Sequence, residues 1–408
     1  MTKNKKSKQK APRLFAGDSE HVHKKAKQEQ SLSSSIFGNS ASSTSTGGGL
    51  FASESKWEEL TKERQSKNKR KLFTNTTTTS SEKNTSNNDK KSAKDIIASR
   101  KKLIKATEKL IKSVSIDAPN TSADSSDDES IDEETQRGIH RIFVGRCDTT
   151  FRQTGVLILK NLFAKELVDK LHTKASRIET KLRRRLDEEG KVWQAQDDSK
   201  SRVNLQMEQD HAFQYHEVAS RCLGRLDSRY QMDKAPFNSD QVIRNPLLMP
   251  LIHSLLGPAA KLVYAGLIIS SPGSADQPWH QDGEALFGES PDVGNLPPYA
   301  LNVFVPLQPV TPELGPTEFW VGSHTETSCQ AIMKQLQNGD TSSDQIIGPL
   351  LQTGDVLLYD YRICHRGTSN LSEKMVRPML YLMYSRPWFH EHLNFGSERL
   401  FPKKDKEG

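Results

Sequence analysis

Apolar residues are sparse and irregular over the first 93 positions and ordered afterwards. Residues 1–93 run through MTKNKKSKQK, the Ser/Gly-rich SSSIFGNSASSTSTGGGLF and TNTTTTSSEKNTSNN. Such segments bury too little apolar surface to offset the entropy of ordering, so the N-terminal third is predicted to be disordered. Over 94–114, Ile96, Ile97, Leu103, Ile104, Leu110 and Ile111 recur at heptad spacing between Lys and Arg, which is one apolar stripe on a basic helix. So short a repeat does not define a coiled coil; the stripe can dock on a partner or on the rest of the chain. Folding proper is expected from about Arg137. Thr154-Gly155 leads into Val156-Leu157-Ile158-Leu159, a buried-strand run. Leu167, Val168, Leu171, Ala175, Ile178 and Leu182 then share one face of a helix over 164–188. A shorter helix over 246–256 ends at Gly257-Pro258. Residues 190–245 show no clear period.

From Lys261 the texture changes to short apolar runs between Gly, Pro, Asn and Asp: 261–270, 299–307, 319–321, 356–359 and 379–384. Strands at this pace predict a mainly β fold with flanking helices. Its core would be a double-stranded β-helix of the jelly-roll, cupin-like kind. The expected domains are a basic/acidic tail over 1–136, a catalytic-sized domain over 137–395, and a polar tail over 396–408.

Charge sharpens this division. The net charge of +7 belongs to the tail, because residues 1–115 carry 26 Lys/Arg against 11 Asp/Glu, while residues 137–408 carry 32 of each. The acidic stretch around Ser125, Ser126 and Ser130 lies between them. Lys67 to Lys71 is a basic cluster that reads as a solvated linker or as a nuclear-import or nucleic-acid patch. A protein or nucleic-acid partner is therefore expected, if anywhere, at the tail. Cys147, Cys222, Cys329 and Cys364 are scattered without a CxxC pair, which favours a reducing, intracellular compartment, cytoplasmic or nuclear. No apolar run approaches the roughly 18 residues of a membrane span.

Candidate chemistry sits in the β half. His280 and Asp282 flank Gln281 after the turn Ser271-Pro272-Gly273-Ser274. On an extended segment, residues two apart project to one face. Alone the triplet is weak, since a surface His beside a solvated Asp reads the same way. A second element strengthens it: Gly354 to Asp360, then His365 through Asn370, then Arg377-Pro378 ahead of an apolar strand. Two imidazoles and a carboxylate are the facial set that holds non-haem Fe(II) with positions left open. Arg377 adds a planar cationic fork suited to a carboxylate. Asn302, on an interior strand, is a candidate for facing a co-substrate. Other histidines fit less well. His324 in its Gly-Ser-His turn reads as structural, and His390 and His392 have only Glu391 as a nearby carboxylate. Trp279 and Phe287 flank the triplet as pocket walls or core, and Arg225 and Asp227 are candidates for orienting a polar substrate.

Taken together, these motifs resemble the phytanoyl-CoA dioxygenase family of Fe(II)/2-oxoglutarate oxygenases. The resemblance rests on 151–163 with Gly155 to Lys160, on Trp279-His280-Gln281-Asp282-Gly283, and on Leu301 to Leu307 with Thr311-Pro312-Glu313. It also rests on Gly315-Pro316-Thr317-Glu318-Phe319 with Gly322-Ser323-His324, and on the His365 to Arg377 block. It covers about 150–390. It implies His280, Asp282 and His365 as iron ligands, Arg377 as the 2-oxoglutarate anchor and dioxygen as co-substrate; the loop from His365 to Arg377 is about one residue longer than in the family's founding member, and Thr368 is the candidate for the accessory hydroxyl contact. A small-molecule substrate would be hydroxylated with release of succinate and carbon dioxide. Asp282 points to hydroxylation, because halogenases related to the family lack that carboxylate. The rival reading is a catalytically idle jelly roll that binds a partner through its tail.

Overall fold

Gly155 marks the point where helix gives way to sheet. Its φ of 72° is left-handed, and a Cβ there would lie 2.5 Å from Nδ1 of His324. Only glycine lets the chain turn this sharply beneath that ring. The computed structural model describes residues 92–119, 132–191, 212–283, 296–325, 331–332, 334–336, 343–391 and 395–401. Contacts divide the chain into Met1–Ser81 and Glu82–Gly408, and all described residues belong to the second unit. The basic cluster at 67–71, the acidic serines, Phe287, Cys329 and His392 lie outside the described residues.

The elements are α1 (Ala93–Ala106), α2 (Glu108–Ser113), β1 (Ser115–Asp117), α3 (Glu133–Thr154), β2 (Val156–Lys160) and α4 (Lys165–Glu188). Then follow β3 (Phe213–Gln214), β4 (Val218–Cys222), β5 (Arg225–Ser228), α5 (Asp240–Ile243), α6 (Leu248–Leu256), β6 (Lys261–Ser270) and β7 (Ala300–Pro306). The chain continues through β8 (Thr317–Trp320), β9 (Ile346–Ile347), β10 (Val356–Asp360), β11 (His365–Gly367) and β12 (Arg377–Ser385). Nine strands form one sheet in the order β1-β2-β10-β7-β12-β6-β5-β4-β3, and β11-β8-β9 form a second. This is the jelly-roll core with flanking helices that the sequence predicts. No described helix is long and apolar enough to cross a membrane.

Register explains how the large sheet uses its two faces. Leu358 pairs with Val303 and Val303 with Leu382, so these side chains share a face. They join one core with Val168, Leu171, Ile178 and Leu182 of α4. Each such buried side chain contributes about 1.5–3 kcal/mol. The alternate residues Leu357, Phe304 and Met379 point the other way and meet Phe319 and Ile347 of the small sheet. Polar groups collect along this inner face.

The segment before Arg137 belongs to this fold. Ser92 and Asp95 cap α1 reciprocally. Further along, Val114 is fully buried, and β1 adds to the large sheet in parallel with β2. The apolar stripe at 94–114 therefore docks on the chain's own domain, and a domain start at 137 leaves this segment out.

Candidate metal centre

His280 and His365 face one another across an isolated antiparallel bridge, each donating its backbone N–H to the other's carbonyl, at 3.0 and 2.9 Å. Residues directly opposite in such a pair place their side chains on the same side. The two rings are accordingly 4.4 Å apart, centroid to centroid. Asp282 follows two residues after His280, and its carboxylate oxygens lie 3.8 Å from Nε2 of His280 and 3.7 Å from Nε2 of His365. One ligand atom from each of the three lies within 4.8 Å of the others.

Backbone carbonyls fix which ring nitrogens face inward. Nδ1 of His280 donates to the Pro278 carbonyl at 2.8 Å, and Nδ1 of His365 to the Ile363 carbonyl at 3.0 Å. A carbonyl only accepts, so Nδ1 carries the proton and the Nε2 lone pair is free to coordinate. Burial, followed by the adjacent His365 ring, pushes the His280 pKa down, which favours the neutral imidazole that can ligate. Asp282 is held on one oxygen, which accepts from Nδ2 of Asn302 at 2.7 Å and from the Tyr359 hydroxyl at 2.9 Å. Two donors each about 2.1 Å from a shared ion lie at most about 4.2 Å apart. The His–Asp separations fall inside that limit, so the residues fit a single cation bound by nitrogen and oxygen.

A second polar cluster lies along the inner face. Arg377 and Arg225 both pair in register with Ser270, which places the three side chains in one row. Arg377 is 2% exposed. It donates from Nη1 to the Leu314 carbonyl at 3.2 Å and from Nη2 to the Ser270 hydroxyl at 3.0 Å. Arg225 donates to the carbonyls of Ala275 and Thr368, both at 3.1 Å. Nε of each arginine is buried without a hydrogen-bond partner among the described residues. Burial, then Arg225 and Arg100, holds the Arg377 pKa well below the usual arginine value. Buried guanidinium groups with an idle Nε donor and no ion pair among the described residues are suited to receive an anion.

The candidate contacts divide on inspection. The amide of Asn302 serves Asp282 and the Tyr359 hydroxyl; only its carbonyl oxygen lacks a partner. Thr368 is buried beside Arg225, but its hydroxyl donates to the Pro316 carbonyl at 2.7 Å, so toward a ligand it can only accept. His324 is structural, with Nε2 donating to the Arg152 carbonyl at 3.1 Å. Tyr359 and Arg100 were not singled out from the sequence. Tyr359 stands in the apolar run Val356 to Leu358, and a hydroxyl-bearing ring at the end of that run is the only sequence signal for it.

Beyond Asp282 the wall is phenolic and acidic. Tyr361 donates to Glu391 at 2.6 Å, and Tyr381 donates to Asp227 at 2.7 Å. Gly283 packs directly against Tyr299 and Tyr361. Burial is the main cause that raises Glu391 to about 7 and Asp227 to about 6.

A double-sheet fold with two histidines and an aspartate at its mouth defines the class of metal-dependent jelly-roll proteins with a facial triad. The chain belongs to the phytanoyl-CoA dioxygenase (PhyH) family, whose model matches residues 151–379. It is 29% identical over 123 residues to the dioxygenase easH of Epichloe festucae var. lolii, covering 29% of this chain and 60% of that protein. It is 27% identical over 163 residues to the dioxygenase af480 of Aspergillus fumigatus, covering 40% of this chain and 49% of that protein. The chain thus matches less than two thirds of the length of either relative. Among solved structures, AviO1 from Streptomyces viridochromogenes Tue57 aligns with a TM-score of 0.41 at 19% identity, over 60% of this chain and 95% of that one. HygX from Streptomyces hygroscopicus, with nickel and 2-oxoglutarate bound, aligns at 0.40 and 14% identity, over 60% and 87%.

Proposed function

We propose that the protein is an Fe(II)/2-oxoglutarate-dependent dioxygenase that hydroxylates a small organic molecule, releasing succinate and carbon dioxide. The observation that carries this reading is the convergence of His280, Asp282 and His365 on one point, on the same inner face as a buried, anion-seeking arginine pair. His280, Asp282 and His365 would hold the metal. When bound, ferrous iron supplies a Lewis-acid and redox centre with positions left for co-substrate and dioxygen.

The chain's own residues do the rest. The carbonyls of Pro278 and Ile363 keep both imidazoles in the ligating tautomer. Tyr359 and Asn302 hold the Asp282 carboxylate in its orientation. Arg377, with Arg225 beside it, would take the far carboxylate of 2-oxoglutarate; Thr368 and the Asn302 carbonyl are left as acceptors at its margins. On the other side, the Tyr361 and Tyr381 hydroxyls already donate to Glu391 and Asp227 and so offer a ligand only acceptor oxygens. This wall favours a substrate that donates hydrogen bonds, such as an amine or polyol, over one that is anionic.

The test is 2-oxoglutarate consumption by the purified protein with Fe(II) and dioxygen, read as succinate formed. Wild type should form succinate, and His280→Ala should reduce this to the metal-free background. Equal succinate from both proteins would contradict the assignment. An idle binding module would form none, and the complete ligand set counts against that reading.

A further inference from the structure

Helix α1 lies outside the family-matching residues, yet it reaches the segments that build the site. Leu103 packs, as Trp279 does, against the cluster of Trp320, Ile346 and Cys364. Trp279 precedes His280 and Cys364 precedes His365. One turn away, Arg100 is the buried residue of α1, only 5% exposed. Its Nη1 donates to the Pro312 carbonyl at 2.9 Å and its Nη2 to the Ser369 hydroxyl at 2.8 Å. Asp276 lies 3.6 Å from the same nitrogen and accepts from the Ser369 backbone N–H. The two strands that deliver His280 and His365 are joined just beyond, through Gln277 and Gly367, at 2.8 Å between backbones and 3.0 Å to the Gln277 side chain. A single guanidinium therefore fastens the approach to His280, the turn after His365 and the loop at Pro312.

Arg100 also adds a third positive charge near Arg225 and Arg377. Asp276 and Glu318 offset the charge of Arg100 itself. Arg377 feels both Arg225 and Arg100 with no carboxylate beside it among the described residues, and an anion entering there relieves that repulsion.

We propose that Arg100 is a positioning residue for the anionic co-substrate, so that the site extends into helix α1. It holds the walls of the anion pocket in register and contributes to its field. The inference rests on the proposed function and deepens it.

The test uses full-length protein loaded with Mn(II), titrated with 2-oxoglutarate by calorimetry. The variants are Arg100→Ala, Arg100→Lys and, as a control on the exposed neighbour paired with Glu313, Lys101→Ala. Loss of the charge-assisted bonds should raise the 2-oxoglutarate Kd about 10-fold or more in Arg100→Ala. Arg100→Lys should recover part of the loss, and Lys101→Ala should match wild type. Binding and ordering are reciprocal, so 2-oxoglutarate should also slow amide hydrogen exchange over residues 93–114 of wild type. This readout stands even where Arg100→Ala fails to fold. Wild-type affinity in both Arg100 variants, or exchange in α1 indifferent to 2-oxoglutarate, would overturn the inference. A wild-type protein that binds no 2-oxoglutarate would instead overturn the functional reading beneath it.

Discussion

Replacing Tyr359 with phenylalanine removes one oxygen and leaves the packing in place. The ring is 2% exposed and sits 4.9 Å from His365, 5.0 Å from Phe304 and 5.2 Å from Phe319. Phenylalanine keeps these contacts, so the change isolates the hydroxyl that donates to Asp282. A hydrogen bond to an ionised carboxylate is worth about 1.5–3 kcal/mol. Part of that persists when the carboxylate shares its charge with a metal, and outer partners of metal ligands typically govern affinity by about 10–100-fold. Tyr359→Phe should therefore weaken Mn(II) binding by about 10-fold, with little change in Tm. Asn302→Ala should act similarly, because its amide donates to the same carboxylate oxygen. Asn302 also donates to the Tyr359 hydroxyl at 3.0 Å, so the double variant should fall short of the sum of the two. Mn(II) titration followed by electron paramagnetic resonance measures each affinity. Wild-type affinity in folded Tyr359→Phe would refute the idea that the phenol holds the ligand.

Arg377→Met should abolish the thermal stabilisation that 2-oxoglutarate gives the Mn(II)-loaded protein, while the ligand-free Tm stays within a few degrees. An unpaired buried charge adds little to stability, and a large fall in ligand-free Tm would contradict that. Glu391 is raised from 4.5 to about 7, so the folded state holds its proton more tightly than the unfolded state. Its contribution is full below about pH 4.5 and is lost as pH rises through 7. Glu391→Gln should therefore flatten the fall in Tm between pH 5 and 8, by an effect on the order of 1 kcal/mol, and an unchanged pH profile would count against it. Gly155→Ala should lower stability by about 1–3 kcal/mol, because its positive φ and the His324 ring leave no room for a methyl group; a chemical-denaturation midpoint equal to wild type would argue otherwise.

Much of the fold was legible because period and burial coincide. Five of the six stripe residues on α4 are buried, and Val156 to Leu159 lie wholly inside. Helix α3 was not read, since only Phe143, Cys147 and Phe151 are buried on it, and Gly138, Gly145 and several threonines blur its pattern. Strands β3 to β5 escaped because they are short and carry mixed polar residues. For the centre, the His-x-Asp triplet was readable because extended backbone turns sequence spacing into geometry. The antiparallel bridge that brings His365 to it is a tertiary pairing with no local signature. Arg100 was invisible for the same reason: a basic residue on a basic helix declares itself only when burial singles it out.

The most direct test of the account is the anaerobic binding stoichiometry of Fe(II). Wild type should bind one ferrous ion per chain, and His280→Ala, Asp282→Ala and His365→Ala should each lose it, while Glu391→Gln and Lys101→Ala retain it. A full equivalent of tightly bound iron in any of the three ligand variants would contradict the central claim.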